Sequence, residues 1–109
     1  MILLTNPLET GDLDAAGAYT HVKVISFVSD PVNKFILIVM QYGKIVSSAF
    51  VPGKFSMESQ HIIKDVGETL DYTTMVTKMP GDGETIYQSA SRECYQYLLD
   101  KNVVVGTLV

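Results

Sequence analysis

Six consecutive apolar residues, Phe35-Ile36-Leu37-Ile38-Val39-Met40, stand in a 109-residue chain that has only one clear long-helix pattern. Read as a strand, this run puts Phe35, Leu37 and Val39 on one face and Ile36, Ile38 and Met40 on the other. The preceding stretch, Tyr19 to Ser29, repeats the two-sided character. Strict alternation there places Val22, Val24 and Val28 opposite Tyr19, His21, Ile25 and Phe27. A sheet with one face in water should alternate to polar residues on that face, and this one largely does not. Each large apolar side chain left in water forgoes roughly 1.5–3 kcal/mol of burial. Contiguous surfaces of that kind mark interaction sites. The length allows one domain, residues 1–109, so the material available to cover both faces is limited.

Along the chain, Met1 to Leu4 reads as a short strand or arm, closed by Pro7, which cannot donate to a ladder. Residues 9–18 are small, acidic and glycine-containing, a loop composition. Asp30-Pro31-Val32-Asn33 is a turn, with Pro31 presetting φ and Asp30 able to bond the following backbone. Phe35 to Tyr42 is then the second strand of a hairpin. Gly43-Lys44 predicts the next tight turn, and Ile45 to Val51 a third strand ending at Pro52-Gly53. Phe55 to Val66 supplies a fourth, with Phe55, Met57 and Ile63 opposite Ile62 and Val66.

From Thr69 the period changes. Asp71 can cap a short helix in which Met75, Val76 and Met79 share a face, stopped by Pro80; a strand through Tyr72 to Thr77 is the alternative. Pro80-Gly81-Asp82-Gly83 then opens the main helix, Glu84 to Asn102, with Asp82 as the expected N-cap. Ile86, Ala90, Cys94, Tyr97 and Leu98 form one helical stripe. Asn102 is suited to end the helix in a left-handed conformation. Val103-Val104-Val105 and Leu108-Val109 return to sheet-like composition. The expected architecture is α+β: an antiparallel meander of about four strands with a C-terminal helix packed on it. The terminal segments either close it into a small sandwich or barrel, or leave its second layer to another subunit.

Chemistry-bearing residues are sparse. Eight Lys+Arg against 12 Asp+Glu give a net charge of −4, which disfavours binding along nucleic-acid phosphate. The six-residue apolar run falls far short of the ~20 residues that span a bilayer, and the first residues do not read as a signal peptide. Cys94 is the single cysteine, and its place on the helix stripe points it into a core, where a thiol is inert. His21 and His61 have no partner at metal-ligand spacing. Glu9, Asp12 and Asp14 lack the later oxygen ligands of a calcium loop. Gly81-Asp82-Gly83 before a helix lacks the rest of any phosphate-binding motif and carries the wrong charge. Tyr87, Tyr95 and Tyr97, with Tyr19 and Tyr42, fit protein contacts better than base stacking, because a positive groove is missing. No cofactor, catalytic residue or metal ligand is assigned.

Several segments taken in order resemble small structural proteins of tailed bacteriophages. They are Tyr19-Thr20-His21-Val22-Lys23-Val24, Val39-Met40-Gln41-Tyr42-Gly43, Phe50-Val51-Pro52-Gly53, Gly83-Glu84-Thr85-Ile86-Tyr87 and Tyr95-Gln96-Tyr97-Leu98-Leu99. The resemblance implies a non-enzymatic virion subunit of the neck, tail, baseplate or capsid decoration, assembled in the host cytoplasm. It implies protein partners and a homo-oligomer, with no nucleic-acid readout and no membrane. From the residues, the expected interface is Phe27, Phe35, Ile36, Leu37, Ile38, Met40 and Tyr42, with the 9–18 loop beside it. The competing expectation is a small bacterial ligand- or peptide-binding module with a barrel-like cavity.

Overall fold

The computed structural model describes residues 1–8, 19–53, 58–78 and 85–109. The fold is mixed α+β: an antiparallel sheet of seven strands, curled into a half-barrel, with two helices. The strands are β1 (Ile2–Leu8), β2 (Tyr19–Asp30), β3 (Phe35–Val46), β4 (Ala49–Pro52), β5 (Glu58–Val66), β6 (Thr69–Leu70) and β7 (Gly106–Leu108). The helices are α1 (Asp71–Lys78) and α2 (Ile86–Asp100). Their order across the sheet is β6-β5-β3-β2-β1-β7, with β4 on the far half of β3 beyond β5. The α+β class stands, and the strand number corrects the expected four to seven. Two of the three extra strands, β1 and β7, come from the termini and pair with each other; the third is the two-residue β6 beside β5.

The longest apolar run lies at the centre of the sheet. β3 pairs with β2 on one side and with β5 and β4 on the other. Its even-numbered residues Ile36, Ile38 and Met40 are sealed in the core with Ile2, Val22, Ile63, Tyr72, Met75, Ala90, Cys94, Leu98 and Val104. The two helices therefore cover one face, here the inner one. Tyr19 is buried apart from this cluster, where its ring blocks the space that a Cβ on Gly53 would occupy.

Two sequence expectations fail for identifiable reasons. Gly43-Lys44 is not a turn; β3 runs through it to Val46, and the turn is Ser47-Ser48, with φ of 51° and 64°. Positive φ at both central residues is the type I′ geometry that hairpins favour, here adopted without glycine. Gly43 serves close approach instead. A Cβ there would lie 2.3 Å from the Val51 carbonyl oxygen and 2.7 Å from the Phe50 ring. The second failure is in β2, where the register slips between Val24 and Ser26. One extra residue, Ile25, reverses the alternation beyond it. Phe27 consequently packs against the core, while Val28 turns outward.

Helix ends follow local chemistry. α1 forms over Asp71–Lys78, so the helical alternative holds; its Met75 is buried and Val76 packs against the core. Met79 and Pro80 lie outside the described residues. The N-cap of α2 is Thr85 rather than Asp82. Its hydroxyl accepts from the Gln88 N–H at 3.1 Å while Gln88 Oε1 accepts from the Thr85 N–H at 3.1 Å. That reciprocal pair is the capping box. At the other end Asn102 takes φ of 56°, and the Asn102 and Val103 amides donate to the Leu99 and Leu98 carbonyls. This is a Schellman stop with asparagine in the left-handed position.

One hydrogen bond joins the bulge to α2: the Val24 N–H donates to Tyr95 Oη at 2.8 Å. Val24 lies opposite Met40 and points its N–H away from β3, to the edge that β1 leaves open beyond Val22, and the tyrosine hydroxyl supplies the missing partner. Replacing Tyr95 by Phe leaves that amide facing an apolar ring. Urea denaturation should report a loss of about 1–2 kcal/mol.

Candidate interface on the outer sheet face

With even β3 positions in the core, the odd positions define the outer face. Register builds it in rows across β2, β3 and β5. Val28, Leu37 and Ile62 form one row; Ser26, Val39 and Gln60 lie on one side of it, and Asp30, Phe35 and Lys64 on the other. A further row is Lys23, Gln41 and Glu58. Val28 is 55% exposed and Ile62 is 52% exposed, whereas Phe35, Leu37 and Val39 are half-buried. The face is an apolar band framed by charged and amide side chains, the arrangement of an interface core with a polar rim. A shallow concavity of about 370 Å³ lies at its Phe35–Ile62 end, bordered by Lys34, Lys64 and Asp65.

The structure separates the seven expected interface residues into two groups. Phe35 and Leu37 lie on the outer face. Ile36, Ile38 and Met40 are at most 1% exposed and are withdrawn from any surface of the folded subunit. The reason is that α1 and α2 both pack on that side. Phe27 and Tyr42 are partly buried against the same core. The missed members are Val28 and Ile62: the bulge at Ile25 hid the first, and the register of β5 was needed to align the second. The expected 9–18 contact loop lies outside the described residues.

A second concavity, of about 290 Å³, lies between α1 and α2. Tyr97 donates its hydroxyl to Asp71 Oδ2 at 2.9 Å, and Lys101 Nζ stands 3.5 Å from Asp71 Oδ1. The Lys101 ammonium also lies 5.9 Å from the Tyr97 ring centroid. Burial, reinforced by the hydrogen bond to Asp71 and its charge, pushes the Tyr97 hydroxyl up to about 12. It is therefore a fixed donor at neutral pH. The cluster ties the start of α1 to the end of α2, and its polar groups pair with one another.

The remaining chemistry-bearing residues are dispersed. Cys94 is fully buried, and burial, with a smaller push from Glu93, raises its thiol to about 11. A thiol in that state is not a nucleophile at neutral pH. His21 lies on the outer face, with Nδ1 2.7 Å from Thr20 Oγ1, and His61 on the inner face, its ring 5.7 Å from that of Tyr97. The two histidines thus lie on opposite sides of the sheet. Among the described residues, no three His, Cys, Asp or Glu side chains group to hold a metal ion, and no helix is long and apolar enough to cross a membrane. No protein-family model, curated protein or solved structure matches the chain.

His61 Nε2 is buried with no hydrogen-bond partner among the described residues, and burial holds the ring below its ordinary imidazole pKa. The unfolded chain takes up this proton near pH 6.5, the folded chain only at lower pH. The unfolded state therefore binds more protons as pH falls through about 6.5, and stability is lost in that window. The thermal midpoint should drop between about pH 7.5 and about pH 5, and drop less in His61→Phe.

Proposed function

We propose that this chain is a non-catalytic assembly subunit that works through protein–protein contacts, using the outer sheet face as its docking surface. The observation that carries the reading is the Val28–Leu37–Ile62 row, an apolar band across three strands that no described part of the same chain covers. Full burial of one such side chain contributes roughly 1.5–3 kcal/mol, so covering the half-exposed row with a partner is favourable by several kcal/mol before association costs. Its acidic balance, −4 overall, favours protein contacts over phosphate backbones.

The particle we assign it to is a tailed-phage virion, as a component of neck, tail, baseplate or capsid decoration, with homo-oligomeric contacts formed in the host cytoplasm. The ordered segments that resemble such proteins support this placement, and so does a sheet built with more apolar surface than its own helices cover. The ligand-binding alternative is less favoured. The cleft between α1 and α2 is shallow, and its Asp71, Tyr97 and Lys101 already satisfy one another.

Val28 tests the docking surface with little risk to the fold, because its side chain is more than half exposed. Val28→Lys should keep the far-UV circular dichroism and thermal midpoint of the wild type. In native mass spectrometry it should lose the largest assembled species that the wild type shows. An unchanged assembly in Val28→Lys would remove this face from the account.

A further inference from the structure

Two seven-residue stretches of sheet edge lack a strand neighbour among the described residues: β2 from Val24 to Asp30, which carries the Ile25 bulge and the Tyr95 hydrogen bond, and β5 from Glu58 to Lys64, whose sequence is self-complementary. β7 is three residues long, β6 is two, and the four-residue β4 ends in Pro52. Short strands and proline are ordinary ways of blunting an edge. β5 is different. It has nine residues, and β6 pairs only with Asp65 and Val66. Among the described residues, Glu58 to Lys64 have no ladder partner on the side away from β3.

The backbone polarity of that edge can be deduced. The two-residue turn Gly67-Glu68, with Gly67 at φ of 57°, joins Val66 to Thr69 as a directly hydrogen-bonded closing pair. Val66 therefore points its N–H and C=O toward β6, away from β3. Alternation sends those of Glu58, Gln60, Ile62 and Lys64 the same way. β3 agrees independently: the Tyr42 carbonyl accepts from the Gly53 N–H on the β4 side, so even-numbered β3 residues face β4 and β5. Their β5 partners, Ile63, His61 and Ser59, are odd.

We infer that β5 pairs antiparallel with β5 of a second copy of this chain, centred on His61, so that two sheets become one. In this register Glu58 faces Lys64 of the other copy, Gln60 faces its Ile62, and the same pairs recur across the two-fold axis. All four are edge-pointing residues, as a hydrogen-bonded ladder needs. Glu58, Gln60, Ile62 and Lys64 also share the outer face, so each carboxylate meets an ammonium at the two ends of the interface. A shift of two residues either way breaks both charge pairs. Neither Glu58 nor Lys64 has an ion-pair partner among the described residues. Both are exposed, as is Ile62 between them. The interface is isologous, the commonest symmetry of soluble homo-oligomers. It brings the two apolar bands side by side into one platform. The inference rests on the assembly reading and names its first partner.

The test uses the full chain in sedimentation velocity over micromolar to millimolar concentrations. Glu58→Lys and Lys64→Glu each replace two attractions by two repulsions and should weaken the dimer about tenfold. The double exchange Glu58→Lys/Lys64→Glu should restore it. Gln60→Pro, which removes an edge N–H that no described residue of the subunit uses, should abolish it without disturbing the circular dichroism. In the wild type, the Gln60 and Ile62 amides should be protected from hydrogen exchange in the dimer and lose that protection on dilution. A dimer indifferent to all four variants overturns the β5 pairing yet leaves the assembly reading in place. A wild type that stays monomeric across the range, with fast exchange at Gln60 and Ile62, overturns the pairing and removes homo-oligomerisation from that reading.

Discussion

A strand that is apolar on both faces must be covered on both faces, and β3 is such a strand at the centre of this sheet. Its inner side chains, Ile36, Ile38 and Met40, are the floor on which α1 and α2 pack. Its outer ones, Phe35, Leu37 and Val39, meet Val28 and Ile62 and the polar ends of neighbouring rows. Two short helices suffice for one face. The second face is left to solvent or to another molecule, and the transfer energetics of large aliphatic side chains favour the molecule.

The rest of the fold serves to hold that strand flat side out. Tyr95 anchors α2 to the β2 bulge, and Tyr97 with Asp71 and Lys101 fastens the two helices to each other. By sequence both tyrosines suit protein contacts, and Tyr97 also belongs to the helix stripe with Ala90, Cys94 and Leu98. In the structure the Tyr95 side chain is buried and Tyr97 half-buried, each with its hydroxyl satisfied inside the subunit. A hydroxyl that can reach a backbone or carboxylate partner makes tyrosine as useful within a fold as between folds.

How much was legible in the sequence depended on whether local chemistry decided the outcome. The α+β class, the Asn102 stop and the burial of Ala90, Cys94 and Leu98 all follow from periodicity and capping, whereas the segment after Asp71 reads as helix or strand until its packing on β5 is known. Thr85-x-x-Gln88 is itself a capping-box pattern, and Asp82, three residues earlier, competes with it for the same role in the sequence. The Ile25 bulge was not legible, because a single inserted residue leaves composition unchanged while reversing every face beyond it. Gly43 misled for a related reason: glycine marks a turn and a close approach equally well, and only the Phe50 ring over it tells them apart. The outer-face partners of Leu37 required strand register, which depends on pairings far apart in sequence.

The claim at the centre of the account is that the outer sheet face is completed by a second protein molecule. Sedimentation equilibrium of the wild-type chain at neutral pH measures this without altering a residue. The account predicts a mass that rises with concentration to a multiple of the 12.0 kDa subunit. A mass fixed at 12.0 kDa up to the solubility limit would mean that no second copy of the chain completes the subunit, and would contradict the homo-oligomeric form of this claim.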